Sequence, residues 1–177
     1  MNYATFRTHD VANGPGVRVS LFVSGCTHRC PGCFNAEAWD FEYGEKYTEE
    51  LEAKIIAALA PDYIKGFSLL GGEPFEPCNQ RELAPLLERI KREYPQKTVW
   101  CYTGYDFEAD ILAKRLGDPN ITERMIRCID VLVDGEFVEA KKDLSLRFRG
   151  SSNQRIIDVK ASLAAGNVRV LELDKRE

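Results

Sequence analysis

The hydrophobic positions of the chain follow two alternating patterns: short apolar runs, and longer stretches in which apolar residues recur with helical spacing. The short runs are rich in β-branched and aromatic residues and lie between turn signals, which predicts buried strands at 17–23, 67–70, 98–102 and 130–133. The helical spacing predicts helices at 48–61, 79–94, 107–116 and about 121–128. This alternation of strand and helix predicts an α/β fold, with a parallel sheet and crossover helices.

Local signals place the ends of several predicted elements. Thr48 fits the N-cap of the first helix, acidic residues fill its first turn, and Pro61 ends it. Pro85 obscures where the second helix begins, because proline disrupts a helix interior. The segment 149–155 is polar and irregular, and 168–173 offers a possible last strand.

Four unusual loops follow the carboxyl-terminal ends of the four predicted strands. They are a cysteine-rich loop after Val23 and the tetrapeptides GGEP (71–74), TGYD (103–106) and DGEF (134–137). In parallel α/β architectures the loops at this edge of the sheet form the functional site. We therefore expect the four loops to lie together and to carry the function.

Composition and charge narrow the class of protein. With 177 residues, 44% hydrophobic and 29% charged, the chain predicts one globular domain, 1–177. A net charge of −4 argues against a nucleic-acid-binding surface, which usually carries a basic excess. The first residues lack a secretory pattern, and no apolar stretch approaches the roughly 20 residues that cross a bilayer. We expect a cytoplasmic protein without membrane association, whose six cysteines are ligands, catalytic groups or buried residues rather than disulfides.

Three of the cysteines, Cys26, Cys30 and Cys33, fall within one short segment. Thiolates are soft ligands that suit zinc or an iron–sulfur cluster, and this spacing lets one loop wrap a single centre. A zinc site would take His28 or His9 as its fourth ligand. Cys30 and Cys33 alone would form a redox dithiol of the C-x-x-C type, which leaves Cys26 without a role. Spacing alone leaves these alternatives open.

The remaining cysteines are weaker candidates for a fourth ligand. Cys101 lies in a predicted strand and Cys128 near the end of a predicted helix, so both are expected to be buried. Cys78 follows GGEP on the functional edge, where a direct role stays open. His9 and His28 are expected at the surface rather than in catalysis.

The pattern CxxxCxxC, followed by a glycine-rich turn after the next strand, resembles the signature of the radical S-adenosylmethionine (SAM) superfamily. The GPG turn and Arg18 ahead of the cysteines resemble the activating enzymes of glycyl radical proteins. The segments CPGCFN, TGYD, VLVDGEFV and RGSSNQR resemble the activating components of anaerobic ribonucleoside-triphosphate reductases. The resemblance gives a core of about 2–157 and leaves the C-terminal extension, 158–177, without an assigned role.

The resemblance implies a partial, open-sided parallel (βα) barrel of the radical SAM type. The chain is indeed shorter than the roughly 250 residues of a complete barrel. It further implies that Cys26, Cys30 and Cys33 hold three irons of a 4Fe-4S cluster and that SAM binds the fourth. The implied cofactor-binding residues are Gly32, Cys33, Phe34, Gly71, Gly72, Glu73, Pro74, Thr103 and Asp134. The SSNQR segment (151–155) is either a contact for the cofactor or partner, or an ordinary polar loop.

The implied activity is reductive cleavage of SAM to a 5′-deoxyadenosyl radical, which generates a glycyl radical on the large catalytic subunit of anaerobic ribonucleoside-triphosphate reductase. The cluster and SAM carry this chemistry, so no acid or base residue is expected. An electron donor such as a flavodoxin-like protein is the second expected partner.

Two alternatives remain. One is a radical SAM enzyme with another target, either a small molecule or a glycyl radical enzyme such as pyruvate formate-lyase. The other is a zinc-stabilised, non-enzymatic binding domain or a small electron carrier.

Overall fold

The computed structural model of the chain describes residues 1–173, which form seven strands and four α-helices. The strands are β1 (Asn2–Asp10), β2 (Val17–Val23), β3 (Glu45–Lys46), β4 (Ile64–Gly71), β5 (Thr98–Tyr102), β6 (Val131–Asp134) and β7 (Arg155–Asp158). The helices are α1 (Glu49–Leu59), α2 (Pro77–Glu93), α3 (Pro119–Cys128) and α4 (Val159–Ala165). All four predicted strands are therefore confirmed, as β2, β4, β5 and β6.

The seven strands form one sheet in the order β3-β1-β2-β4-β5-β6-β7. The four central strands β2, β4, β5 and β6 are parallel, as predicted, whereas β1, β3 and β7 pair antiparallel with their neighbours. The sheet is mixed and is not closed into a barrel. Its outer strands are β3, which has two residues, and β7, whose free side is bridged by Val170.

Helix ends follow the sequence signals closely in α1. The Thr48 hydroxyl accepts a hydrogen bond from the Leu51 amide at 3.3 Å, which confirms the N-cap. Helix α2 starts at Pro77, where a missing N–H costs little, and continues past Pro85. The predicted helix at 107–116 is instead a π-helical turn, Phe107–Leu112. It ends early because Lys114 adopts a left-handed backbone with φ 58°.

Two regions differ from the sequence expectation. Strand β1 was not predicted because its residues are mostly half-exposed and polar ones interrupt the apolar run. Strand β7 and helix α4 lie where an irregular segment was expected, since each is short and begins beside polar residues. The predicted last strand at 168–173 contributes only an isolated bridge between Val170 and Ile157.

The two faces of the sheet are covered differently. One face packs against all four helices in the main hydrophobic core, to which β2 contributes Val19, Leu21 and Val23. The opposite face carries a smaller cluster around Trp100 and Val133. Phe148, Leu171 and Leu173 pack against this cluster. Alternate residues of each strand point to opposite faces, so β2 places Arg18 and Ser20 on this second side.

Arg18 is fully buried on the second face. Its guanidinium donates to the Ser68 hydroxyl at 2.7 Å, and to the carbonyls of Phe67 and Thr98 at 2.8 and 2.9 Å. Burial lowers the pKa of Arg18 to about 10. Since Ser68 in turn donates to the Asn13 carbonyl at 2.6 Å, Arg18 fixes the GPG turn against the sheet.

Across residues 1–173, no helix combines the length and the apolar character required to span a membrane.

Candidate functional site

The cysteine loop leaves the carboxyl end of β2 and is fastened to a short 3₁₀ turn, Ala36–Trp39. The Gly25 amide donates to the Ala38 carbonyl at 2.8 Å, and the Cys26 amide donates to the Trp39 carbonyl at 3.2 Å. Cys26 is buried, whereas Cys30 and Cys33 are partly exposed, and all three are free thiols. Burial raises the pKa of Cys26 to about 11, with a further contribution from the charge of Glu73.

The GGEP loop lies directly against the cysteine loop. The Gly72 amide donates to the Val23 carbonyl at 2.6 Å, and the Glu73 amide donates to the Gly25 carbonyl at 2.8 Å. A Cβ atom at Gly72 would come within 2.6 Å of the Gly25 carbonyl oxygen. Gly71 has φ 115°, a backbone conformation that residues other than glycine rarely adopt. The two glycines therefore allow the two backbones to approach each other.

The Glu73 carboxylate joins the GGEP and TGYD loops. Its Oε1 accepts hydrogen bonds from the Thr103 hydroxyl and the Phe75 amide, both at 2.8 Å, and its Oε2 accepts from the Gly104 amide at 2.8 Å. Glu73 is 1% exposed. A buried carboxylate with this many donors is fully satisfied by the protein, so its carboxylate acts on the site by fixing neighbouring loops.

His28 is not at the surface, in contrast to the sequence expectation. Its side chain is 10% exposed, and its Nδ1 lies 2.8 Å from Glu136 Oε1 of the DGEF loop. Its Nε2 lies 3.2 Å from Glu73 Oε2, an ion-pair contact that lacks the alignment of a hydrogen bond. Burial lowers the pKa of His28, but the two carboxylates outweigh it and raise the pKa to about 9.

The positions of both histidines bear on the zinc alternative. The ring nitrogens of His28 face carboxylates, as described above. His9 lies on β1, where its exposed ring nitrogens pair with the Thr8 and Tyr63 hydroxyls at 3.0 Å. Neither ring is therefore directed at the three thiols as a fourth ligand.

The spacing of the thiols gives a second test. In a tetrahedral zinc site with bonds of about 2.3 Å, the sulfur atoms lie about 3.8 Å apart. Among the residues described, 1–173, the only trio of potential ligand atoms all within 4.8 Å of one another is Asp106, Glu108 and Asp134. At least one pair of the three cysteine sulfurs is thus more than 4.8 Å apart, which is wider than a single tetrahedral zinc ion requires.

The three carboxylates of this trio already share one cationic side chain, Arg155. Arg155 at the start of β7 donates from Nε to Asp134 Oδ1 at 3.0 Å and from Nη2 to Glu108 at 2.7 Å and Asp106 at 3.1 Å. Asp134 Oδ2 also accepts from the Phe107 amide at 3.0 Å. These bonds raise the pKa of Arg155, with Asp134 as the largest cause. Arg155 therefore ties the loops after β5 and β6 to β7.

One cavity of about 380 Å³ connects the four loops. Nine predicted site residues line it: Cys26, Cys30, Gly32, Cys33, Phe34, Gly71, Gly72, Glu73 and Thr103. Pro74 and Asp134 are outside this lining, and Gly135 reaches the cavity instead of Asp134. The expectation that the carboxyl-edge loops lie together is confirmed. Cys101 and Cys128 are buried as expected, whereas Cys78 is an exposed residue in the first turn of α2.

Sequence reasoning missed several residues of the cavity. It did not identify Trp39 or Tyr102, nor the 11–16 turn that contributes Ala12 and Asn13. The polar 149–155 segment does reach the cavity, through Gly150 and Gln154. The Gln154 side chain donates to the Gly135 carbonyl at 3.0 Å, which links this segment to the DGEF loop. The alternation of β5 marked Tyr102 as opposite to the buried Cys101, and this was the available signal.

Comparison with known proteins gives a consistent result. The family model described as a 4Fe-4S single cluster domain matches residues 12–157. Over 158 residues the chain is 44% identical to the anaerobic ribonucleoside-triphosphate reductase-activating protein of Vibrio cholerae serotype O1, covering 88% of this chain and 97% of that protein. Proteins of the same name from Escherichia coli K12 and Enterobacteria phage T4 are 43% and 39% identical. The alignment with the Escherichia coli protein covers 87% of this chain and 96% of that protein. The alignment with the phage protein covers 88% of this chain and 93% of that protein.

Proposed function

The chain belongs to the family of anaerobic ribonucleoside-triphosphate reductase-activating proteins and contains its 4Fe-4S single cluster domain, and from this premise we propose how its residues perform the activation. The protein is a radical SAM activase of the reductase. We propose that Cys26, Cys30 and Cys33 bind a 4Fe-4S cluster through three irons and leave the fourth iron for SAM. When bound, the cluster and SAM supply the one-electron bond cleavage that yields the hydrogen-abstracting radical.

The observation that carries this proposal is the shared cavity of the three thiols and the GGEP backbone. Soft thiolates and an adjacent glycine-rich backbone suit a metal cluster on one side and a polar cofactor on the other. Gly71, Gly72 and Gly32 would let the SAM molecule approach the main chain, and Thr103 would contact it from the TGYD loop.

The other predicted cofactor residues take different roles in this proposal. Phe34, 85% exposed, would cover the cofactor from the rim of the cavity. Glu73 would keep the GGEP and TGYD loops together rather than bind SAM through its carboxylate. Pro74 and Asp134 would act by holding their neighbours, Glu73 and Gly135, at the cavity wall.

The partner proposed for this site is the large catalytic subunit of the reductase, as the names of the relatives indicate. The cavity rim carries Phe34 and Leu144, which is 91% exposed, and exposed apolar side chains of this kind favour a protein contact. A flavodoxin-like protein is proposed as the electron donor. We also retain the partial, open-sided barrel as a proposal, supported by the open sheet and by its four loops on one edge.

The test is anaerobic reconstitution with iron and sulfide, then addition of SAM and a strong one-electron reductant. We expect 5′-deoxyadenosine and methionine to form, and a glycyl radical to appear by electron paramagnetic resonance when the reductase large subunit is present. Pyruvate formate-lyase is the matched alternative target. A radical on that enzyme but not on the reductase would contradict the partner, and the absence of 5′-deoxyadenosine would contradict the cofactor.

A further inference from the structure

His28 lies inside the cysteine loop, between Cys26 and Cys30, and contacts all three other loops of the carboxyl edge. We propose that His28 is a positioning residue that locks the cysteine loop onto the GGEP, TGYD and DGEF loops, so that the thiols are held ready for the cluster. This inference rests on the proposed function as far as the cluster itself is concerned. The contacts of the ring, however, are independent of any cofactor.

Each of the three loops meets a different part of the imidazole. Glu136 of DGEF lies 2.8 Å from Nδ1, and Glu73 of GGEP lies 3.2 Å from Nε2. Tyr105 of TGYD packs edge-on against the ring, with centroids 4.4 Å apart. The partners at the two nitrogens are carboxylate oxygens, which accept and do not donate. Nδ1 therefore donates to Glu136, and Nε2 meets Glu73 in an ion-pair contact without the alignment of a hydrogen bond.

The neighbouring backbone is built around this ring. A Cβ atom at Gly104 would lie 2.7 Å from the imidazole of His28, so glycine at this position leaves room for the ring. Arg29, directly after His28, has a left-handed backbone with φ 49°. Residues other than glycine rarely adopt this conformation unless surrounding contacts impose it.

Another residue of the loop has a more local anchor. The Thr27 amide donates to Glu76 at 2.8 Å, which fastens the start of the loop to the residue that precedes α2. His28 is different because its partner Glu136 lies 108 positions away, after β6. It therefore connects the first and the last of the four loops, between which the cavity opens.

The test compares His28→Ala with His9→Ala, the matched change at the chain's only other histidine. After anaerobic reconstitution, iron and sulfide per chain are measured, followed by the rate of iron loss to a chelator. Groups that orient ligands from outside the coordination shell typically change metal affinity by 10-fold or more, so we expect His28→Ala to lose iron about 10-fold faster than the wild type. His9→Ala should retain iron like the wild type. Equal retention in both variants would overturn the proposal.

Two further variants separate positioning from a general folding defect. Glu136 is 57% exposed on its side chain, so Glu136→Gln is expected to fold and to accelerate iron loss in the same direction, by a smaller factor. In the His28→Ala background it should add little further change, because both substitutions break the same link. Fully additive effects would contradict the proposal. It would also be contradicted if the cluster-free His28→Ala chain melted at a lower temperature while Glu136→Gln retained iron like the wild type.

A conservative replacement gives a third measurement. His28→Gln keeps a donor amide in place of the ring, so we expect iron retention between those of His28→Ala and the wild type. Retention no better than that of His28→Ala would argue against hydrogen bonding as the cause. If the wild type takes up no cluster, the proposed function fails, whereas a stable wild-type cluster with unchanged variants refutes the role of His28 alone.

Discussion

The carboxyl and amino edges of the sheet each hold a carboxylate, fully buried in Glu73 and partly buried in Asp130, and the two have different roles. At the carboxyl edge, Glu73 holds together the loops that surround the cavity. At the amino edge, Asp130 lies just before β6, accepts from the Val99 amide at 2.7 Å and pairs with Lys91 and Lys160. The network at the amino edge links β5 and β6 to α2 and α4. The comparison indicates that one edge stabilises the fold and the other arranges reactive groups.

The thiols of Cys26 and Cys128 show the same difference between the two edges. Cys26 faces the cavity at the carboxyl edge, whereas Cys128, two residues before Asp130, is packed in the main core. Burial raises the pKa of both thiols. Their difference is therefore one of surroundings: Cys26 has two further thiols in the same cavity, and Cys128 has apolar neighbours.

The largest expected effect comes from exchanging these two cysteines for alanine. Cys26→Ala should abolish cluster assembly and SAM cleavage, because two thiolates do not hold a 4Fe-4S cluster of this type. Cys128→Ala should leave both intact, with only a modest loss of stability. Iron content and 5′-deoxyadenosine are the measurements. Equal loss in the two variants would remove the functional distinction between the edges.

The next effect concerns the amino edge alone. Asp130→Ala leaves Lys91 partly buried without its partner, which should lower the free energy of unfolding by about 2 kcal/mol. Denaturant unfolding measures the change. Once folded, the variant should bind iron and cleave SAM like the wild type. Glu88→Ala, which breaks an ion pair with Arg124 at the surface, is the control and should change stability much less.

The complementary change at the carboxyl edge is Glu73→Gln. The amide keeps the shape but replaces one acceptor oxygen with a donor, facing either the Thr103 side or the Gly104 amide. We expect a stability loss of about 1–2 kcal/mol and an affinity for SAM reduced about 10-fold. Titration of the reconstituted protein with SAM measures the affinity. A variant that loses stability but binds SAM normally would place Glu73 with Asp130, as a purely structural residue.

The smallest effect is a pH dependence. Burial alone would raise the pKa of Asp130, but Lys160, Lys91 and the Val99 amide outweigh it and hold the pKa below its ordinary value. The stabilisation from Asp130 is therefore present above the unfolded pKa of about 4 and is lost as the pH falls through the lower, folded value. Melting temperatures of the cluster-free chain should fall less steeply on acidification in Asp130→Ala than in the wild type. Parallel curves would show that Asp130 does not contribute.

The central part of the fold was predictable because the parallel strands β2, β4, β5 and β6 are buried on both faces and read as continuous apolar runs. Strand β1 was not, since its exposed and half-exposed positions resemble a polar loop. The barrel implied by resemblance is not confirmed either. The closure of a sheet depends on strand tilt and register, which apolar patterns do not specify.

The candidate site was predictable only where its chemistry is local in sequence. The spacing of Cys26, Cys30 and Cys33, and the glycines of GGEP, could be found directly. The contacts behind the proposed role of His28 could not, because Glu73 and Glu136 come next to it only in the folded sheet. The pairing of Asp134 with Arg155 is likewise not visible in sequence, because β6 and β7 become neighbours only in the folded sheet.

The two outer strands of the open sheet, β3 and β7, restrict how other proteins can attach to it. Strand β3 offers only two residues, Glu45 and Lys46, to an incoming strand, and the free side of β7 is already bridged by Val170. Short, charged or covered edges protect a sheet from pairing with foreign strands and from ordered aggregation. Recruitment of a partner by strand addition is thereby disfavoured, and a protein that reaches the cavity has to recognise side chains rather than extend the backbone ladder.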